Sequence, residues 1–475
     1  MNGMEIIRKF IGSHFLLERL AREVIERLPL SIHYRLYYGK TFLYWSAFLK
    51  ASQYWNRERL EAFQVEQMRS LLGHAAHHVP YYRKLFADHG INVQQVQSLD
   101  DMSVIPYLAK ETVRDGGRNF VAENIPPRAL IKTNTSGSTG IPLVIYKTRE
   151  SDEKLHAYLF NLRSRVGYDS KKRAVFFTWR GITMGGKRAM SSLRCGNKLY
   201  LSTADVSDAW KQKCYDMIRE FRPEFVSGYK TILLALSLFI KEQGLLPFYG
   251  LRAVFAYAET IFPWQKRIIE ESFNTRVFSY YGMFEGVIFG GGCEYFDQYH
   301  LYPQYGITEF VGMGDGRHEM VGTGFRNYAM PFIRYRTMDI AVKGADSCGG
   351  CNRNHQLVES IEGRMHEFLV TRDRKMLYTS LSGLDPDSFR NVKQFQFYQD
   401  EPGIAQMNIV RSQTYTDIDT ALIKEQITRR FNIPENGIEI RIVFVDAIER
   451  TASGKITMTD QRLAGKNNIN GIWVP

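Results

Sequence analysis

Thr133-Asn-Thr-Ser-Gly-Ser-Thr-Gly-Ile-Pro142 is the stretch on which the fold turns. Two glycines and several hydroxyls in one short loop let backbone N–H groups and Ser/Thr oxygens wrap an anion. The loop is not of the Walker type, which needs wider glycine spacing followed by Lys and Ser/Thr. Alone, such a polar turn is most often a plain loop. What gives it weight is the sequence around it. Downstream, short apolar runs (Ala174–Phe177, Phe225–Ser227, Ala253–Ala256, Val277–Tyr280) alternate with helical patterns (Ile232–Glu242, Trp264–Phe273). That alternation predicts parallel strands with crossover helices.

Upstream, residues 1–125 read as mostly helical, with amphipathic stretches near 57–75 and 80–90. Residues 300–345 read as β-rich. A boundary is expected at 362/363, giving a large N-terminal domain, 1–362, and a small C-terminal domain, 363–475. In the tail, strands near Glu367–Val370, Gln394–Tyr398, Gln406–Val410 and Ile438–Phe444 and a helix over Thr416–Phe431 suit an α+β domain of ordinary size. The expected architecture is thus a large α/β domain, with mixed and parallel sheets, flanking helices and a small β-rich subdomain, followed by a small mobile α+β domain.

A chain of 475 residues with 44% hydrophobic and 24% charged residues has ordinary globular composition. Its formal charge of +12 favours anionic partners. Basic residues are spread along the chain and no nucleic-acid motif is present, so nucleic acid is not an expected partner. No apolar run approaches a membrane span. The charged start carries Ile6, Ile7, Phe10, Ile11, Phe15, Leu16 and Leu20 at helical spacing. This is read as an amphipathic helix packing on the protein body or a partner subunit, with a membrane surface as the alternative. Five cysteines and no secretory signal point to a reducing, cytoplasmic setting.

Three further constellations carry chemistry. In Ser279-Tyr-Tyr-Gly-Met-Phe-Glu285, an aromatic, a glycine and a carboxylate at a strand end suit a nucleotide site. Tyr281 can stack on a base and Glu285 can hold Mg2+. Ala329-Met-Pro-Phe-Ile-Arg-Tyr-Arg-Thr-Met-Asp339 puts Arg334, Arg336 and Asp339 on a buried strand, where charges need partners; structural ion pairs are the plain reading. Glu449-Arg-Thr-Ala-Ser-Gly-Lys455 places a Lys on a Gly-containing loop, a position usually just solvated.

The order of these segments resembles the adenylate-forming superfamily, and within it the phenylacetate–coenzyme A ligase and CapK-like branch. The resemblance runs from about residue 60 to 460. It implies contacts from Thr135, Ser136, Gly137, Ser138, Thr139 and Gly140 to ATP phosphates, with Ala258 and Glu259 beside the adenine. It adds Tyr280, Tyr281 and Gly282 to the nucleotide site, Glu285 for Mg2+, and Asp339 and Arg364 at the ribose. It gives Lys455 the catalytic task of bridging the substrate carboxylate and the α-phosphate, with Glu285 as its catalytic partner. A cation there offsets the repulsion of two anions and the charge developing at phosphorus.

The expected activity is therefore that of an AMP-forming acid–thiol or related ligase. It takes ATP and a small carboxylic acid to an acyl-adenylate, then transfers the acyl group to a thiol, amine or hydroxyl. Two alternatives stand beside it: an adenylyl transferase that leaves AMP on its product, and a nucleotide-binding scaffold. His366-Glu367 stands where the family has its Asp-Asp hinge, and Val370-Thr-Arg-Asp-Arg-Lys375 lacks the glycine of the pantetheine channel. These departures put coenzyme A as acceptor in doubt. The CapK resemblance suggests capsular or surface polysaccharide formation, with a homodimer or a peripheral membrane or polysaccharide-assembly association as partner readings. Trp179, Tyr229 and Tyr257 are expected to form an aromatic wall for the acid.

Finally, Cys348-Gly-Gly-Cys351 is a knuckle, and Cys293 precedes His300 by seven residues. Together they would make a closed Cys3His zinc site of the structural kind, with His355 as a substitute for His300.

Overall fold

The apolar runs and amphipathic stretches fold as their periodicities require. In the computed structural model, the described residues are 24, 28–134, 143–178, 182–184, 187–203, 207–257, 259–313, 316–364, 368–378, 385–430, 437–449, 457–463, 467–469 and 472–474. The chain divides into two compact units: residues 1–176, 181–200 and 278–360 in the first, and 177–180, 201–277 and 361–475 in the second. The division at 360/361 lies next to the expected boundary, whereas residues 201–277 group with the tail.

Among the described residues, the first unit carries helices α1 (Leu30–Tyr37), α2 (Lys40–Ser52) and α3 (Arg57–His78). Asn56 caps α3 by accepting from the Arg59 N–H at 3.1 Å. Helix Arg149–Ser164 packs against α2 and buries Tyr158 and Leu162 with Phe42, Phe289 and Tyr305. Burying each such side chain contributes about 1.5–3 kcal/mol. Beneath them lies an antiparallel sheet. Strands Gly306–Gly312, Arg317–Gly324 and Tyr335–Lys343 pair in sequence, and strand Tyr299–Leu301 pairs with Phe289–Gly292 on one side and with Leu357 and Val358 on the other. The β-rich character expected for 300–345 is observed.

The second unit holds the parallel pair Phe225–Tyr229 and Ala253–Tyr257, in register from Phe225↔Ala253 to Tyr229↔Tyr257. Helices Lys230–Glu242 and Pro263–Phe273 follow these strands, as the alternation predicts. The tail adds strands Val392–Glu401, Ile404–Arg411 and Glu439–Phe444 with helix Asp417–Arg430. Within this unit Trp264 stacks on Phe389 at 6.0 Å, and Lys393 pairs with Glu242 at 2.7 Å.

One irregularity in the first unit matters for the site. Glu319 pairs with Ile340 and Val321 with Arg336, so Met320 faces the bulge Thr337–Asp339. Thr337 Oγ1 donates to the Met320 carbonyl at 2.6 Å and accepts from the Asp339 N–H at 3.0 Å, which fixes the bulge. Met338 sits inside it at φ 59°. The left-handed region costs a side-chain-bearing residue roughly 1–2 kcal/mol, and glycine escapes that cost while losing about 0.5–1 kcal/mol through unfolded-chain entropy. Met338→Gly should therefore stabilise the protein by about 0.5–1 kcal/mol, read as a raised denaturation midpoint. A lowered midpoint would refute strain at this position.

Candidate functional site

The bulge turns Asp339 toward the strand end that bears the aromatic-glycine-carboxylate motif. Tyr281 Oη donates to Asp339 Oδ2 at 2.5 Å, and Asp339 is largely buried. Tyr335 Oη donates to Glu285 Oε1 at 3.2 Å. Tyr280, Tyr281 and Gly282 end strand Val277–Gly282 and pair with Gly291, Gly290 and Phe289. One part of the first unit thus gathers Tyr280, Tyr281, Gly282, Glu285 and Asp339. Tyr335 joins them unanticipated, although it lies within the arginine-bearing motif.

The two arginines of that motif are structural. Arg334, at φ 49°, holds Glu309 through Nη2 at 2.6 Å and donates Nη1 to the carbonyls of Ser103 and Ile105 at 3.1 and 2.5 Å. Arg336 grips Glu319 at 2.6 Å, and that hydrogen bond raises the guanidinium above its usual range. These are the ion pairs a buried strand requires. Neither guanidinium is assigned to a ligand.

In the second unit, Glu259 accepts from the Thr231 N–H at 2.8 Å and from Thr231 Oγ1 at 2.7 Å. The carboxylate therefore engages the first turn of helix Lys230–Glu242, where the positive end of the helix dipole favours it. Tyr229 and Tyr257 lie with ring centroids 4.9 Å apart, and Tyr257 Oη donates to the Phe177 carbonyl at 3.3 Å. Arg364 ends strand Leu357–Arg364, and its side chain lies outside the described residues. Also outside them are the loop residues Thr135, Ser136, Gly137, Ser138, Thr139 and Gly140, as well as Trp179, Ala258, His366, Glu367 and Lys455.

A second constellation in the first unit is complete. Cys293, His300, Cys348 and Cys351 are all buried, with ligand atoms within 4.8 Å of one another. Cys293 Sγ and Cys348 Sγ are 3.8 Å apart, and Cys351 Sγ lies 3.4 Å from His300 Nε2. Zn–S bonds of about 2.3 Å and a Zn–N bond of about 2.0–2.1 Å in a tetrahedron require edges of about 3.8 and 3.5 Å. The residues fit the ion. Burial, then Arg165 and Arg353, push the His300 imidazole down to about 3, so it is neutral as a ligand must be. Burial pushes the Cys351 thiol up to about 11, so a metal would displace its proton. The group contains His300, not His355, whose ring centroid is 5.8 Å away and whose ring nitrogens have no hydrogen-bond partner among the described residues.

Residues flanking the cysteines tie this knuckle to the corner between α2 and α3, a role the sequence reading missed although Arg353 and Glu294 adjoin the cysteines. Arg353 pairs with Glu294 at 2.7 Å and donates Nε to Gln53 Oε1 at 3.0 Å. Asn354 donates to the Trp55 carbonyl at 3.0 Å, and Gln304 to the Ser52 carbonyl at 3.2 Å. A Cβ at Gly350 would meet the Phe296 ring at 2.6 Å, so a larger residue there would have to displace that ring.

Comparison with known proteins bears on the fold. A solved 2-hydroxyisobutyryl-CoA ligase, in the postadenylation state with R3-HIB-AMP, superposes with a TM-score of 0.68. It is 15% identical, over 87% of this chain and 91% of that one, a likeness that defines the fold. The fold is thus that of this CoA ligase. Phenylacetate-coenzyme A ligase of Pseudomonas putida is 26% identical over 341 residues, 68% of this chain and 75% of that protein. Protein CapK of Staphylococcus aureus is 20% identical over 418 residues, 84% of this chain and 89% of that one. The family model of the CapK C-terminal domain matches residues 377–461. This chain is similar in sequence to phenylacetate–coenzyme A ligases and to CapK, and its C-terminal part matches the CapK C-terminal domain. Among the described residues no helix is long and apolar enough to cross a membrane.

Proposed function

We propose that the chain is an AMP-forming ligase that activates a small carboxylic acid with ATP as an acyl-adenylate. The observation that carries this reading is Asp339, turned by the bulge at Met338 onto Tyr281 beside Glu285 and Tyr335. A carboxylate at this position is an acceptor suited to the vicinal hydroxyls of a ribose. Tyr281 supplies a face for adenine, and Glu285 would hold Mg2+, which neutralises phosphate charge when bound. The carboxylate oxygen of the acid attacks the α-phosphorus, the bond to the β-phosphate oxygen breaks, and pyrophosphate leaves. Lys455 stands between the two anions, and the 135–140 loop wraps the β- and γ-phosphates. Both roles rest on the motif resemblance.

In this reading Glu259 lies beside the adenine as an anchored carboxylate, its place fixed by Thr231. Tyr229 and Tyr257 form part of the wall against the acid. Residues 363–475 act as the small lid domain; the match of the CapK C-terminal model within them supports that division. The acceptor is a thiol, amine or hydroxyl, and likeness to CapK favours a place in surface polysaccharide formation at the cytoplasmic side of the cell. Cys293, His300, Cys348 and Cys351 would hold a structural zinc; all four positions being protein ligands, it would tie loops together rather than activate water.

ATP–pyrophosphate exchange, screened over aryl, short-chain and sugar acids, tests the reading, and ATP binding without exchange with any acid would overturn it. Asp339→Asn should raise the KM for ATP roughly tenfold to a hundredfold, the worth of a hydrogen bond to a charged group, with the melting temperature little changed. An unaltered KM would remove Asp339 from the nucleotide site.

A further inference from the structure

The segment that precedes the region of family resemblance has a surface the reaction does not use. Between Leu28 and Arg57 the chain carries nine Phe, Trp or Tyr residues and no Asp or Glu, against Arg35, Lys40, Lys50 and Arg57. Part of this aromatic content is core: Tyr34, Phe42 and Leu49 pack with Tyr158 and Phe289. The opposite face of α2 is different. Lys40, Tyr44, Ala47 and Ala51 follow one another at helical spacing and are all exposed, with Lys50 beside them. Tyr44 is 66% exposed, Tyr54 at the corner 55%, and Ile32 on α1 46%. Tyr44 and Phe48 lie parallel with centroids 6.4 Å apart, next to the half-buried Trp45.

A solvent-facing helix normally interleaves charges of both signs with polar residues. Here the outward positions carry tyrosine, alanine and lysine. Aromatic rings flanked by lysines, on a helix without acid of its own, are the composition that settles at the headgroup level of a bilayer, where lysine stems extend to reach lipid phosphates. The first acidic residues after Leu28 are Glu58, Glu61 and Glu66 on α3, where they alternate with Arg57, Arg59 and Arg69. We propose that the outer face of α2, with Ile32 and Tyr54, docks on an anionic membrane surface and holds the enzyme peripherally. This goes beyond the reaction proposed above, and its test needs neither ATP nor an acid, so either reading can fail alone.

The full chain should float with vesicles of phosphatidylcholine and phosphatidylglycerol, not with phosphatidylcholine alone, and salt should release it. A Tyr44→Ser, Lys40→Glu, Lys50→Glu variant should partition at least roughly tenfold more weakly, each basic residue near an anionic surface contributing about 1 kcal/mol. Its melting temperature and pyrophosphate exchange should match the parent. Lys50→Glu alone, at an exposed position, serves if the triple variant melts lower, and should still weaken flotation severalfold. Failure of the parent chain to float with anionic vesicles overturns the proposal, as does a variant that floats equally well. A variant that changes oligomeric state, while neither protein floats, also overturns it and assigns the face to self-association.

Discussion

Lys455→Ala should abolish pyrophosphate exchange, with a loss of at least roughly a hundredfold, while the melting temperature stays within a degree or so of the parent. The size follows from what the side chain would do. Carboxylate and triphosphate repel, and charge builds on the phosphoryl oxygens as the new bond forms. A cation placed between them lowers the transition state more than the ground state, which is the condition for acceleration. Neither Arg334 nor Arg336 can deputise, since Glu309 and Glu319 hold them. Transfer from a chemically prepared acyl-adenylate should survive the substitution, because that half-reaction has no second anion to bring up. If the variant exchanges pyrophosphate normally, Lys455 is not the bridging cation.

Removing metal should be nearly as severe, but for stability. Purified protein should contain one zinc per chain, and a strong chelator should lower the first melting transition by on the order of 10 °C. Without the ion, three buried thiols and a buried imidazole remain in a space shaped for tetrahedral coordination, and two loops lose their tie. His300→Ala should release the zinc, whereas His355→Ala should leave zinc content unchanged, because only His300 lies in the four-residue group. Acid should also empty the site, since protons compete for the thiolates. A metal-free protein that melts as the loaded one does would make the cluster an inert group of thiols.

Several parts of this architecture were legible in the sequence. Parallel strands such as Phe225–Tyr229 and Ala253–Tyr257 announce themselves as apolar runs between amphipathic helices, because period and burial are local properties. The Cys/His group was legible for a similar reason: few residue types bind a soft metal, so their spacing alone narrows the choice. What the sequence hid was non-local. That Arg334 turns to Glu309 and Arg336 to Glu319 depends on neighbouring strands. Strand pairing places His300 opposite Gly291, and the metal group includes it and not His355, which spacing alone left open. Met338 reads as an ordinary methionine, and only the backbone reveals its left-handed turn and the re-aimed Asp339. Nor does spacing show that Glu259 is held by Thr231 at the head of a helix.

The knuckle's hold on the α2–α3 corner has a consequence in time. Gln53 and its partner Arg353 are 300 residues apart, and Ser52 and Gln304 are 252 apart. At a synthesis rate of roughly 5–20 residues per second, the first helices leave the ribosome on the order of 15–60 seconds before the chain that pins their corner exists. Through that interval the rings of α2 have no knuckle to close on. The α2–α3 corner is thus among the last parts to reach its final place, and it depends on chaperones or on its own solubility while it waits.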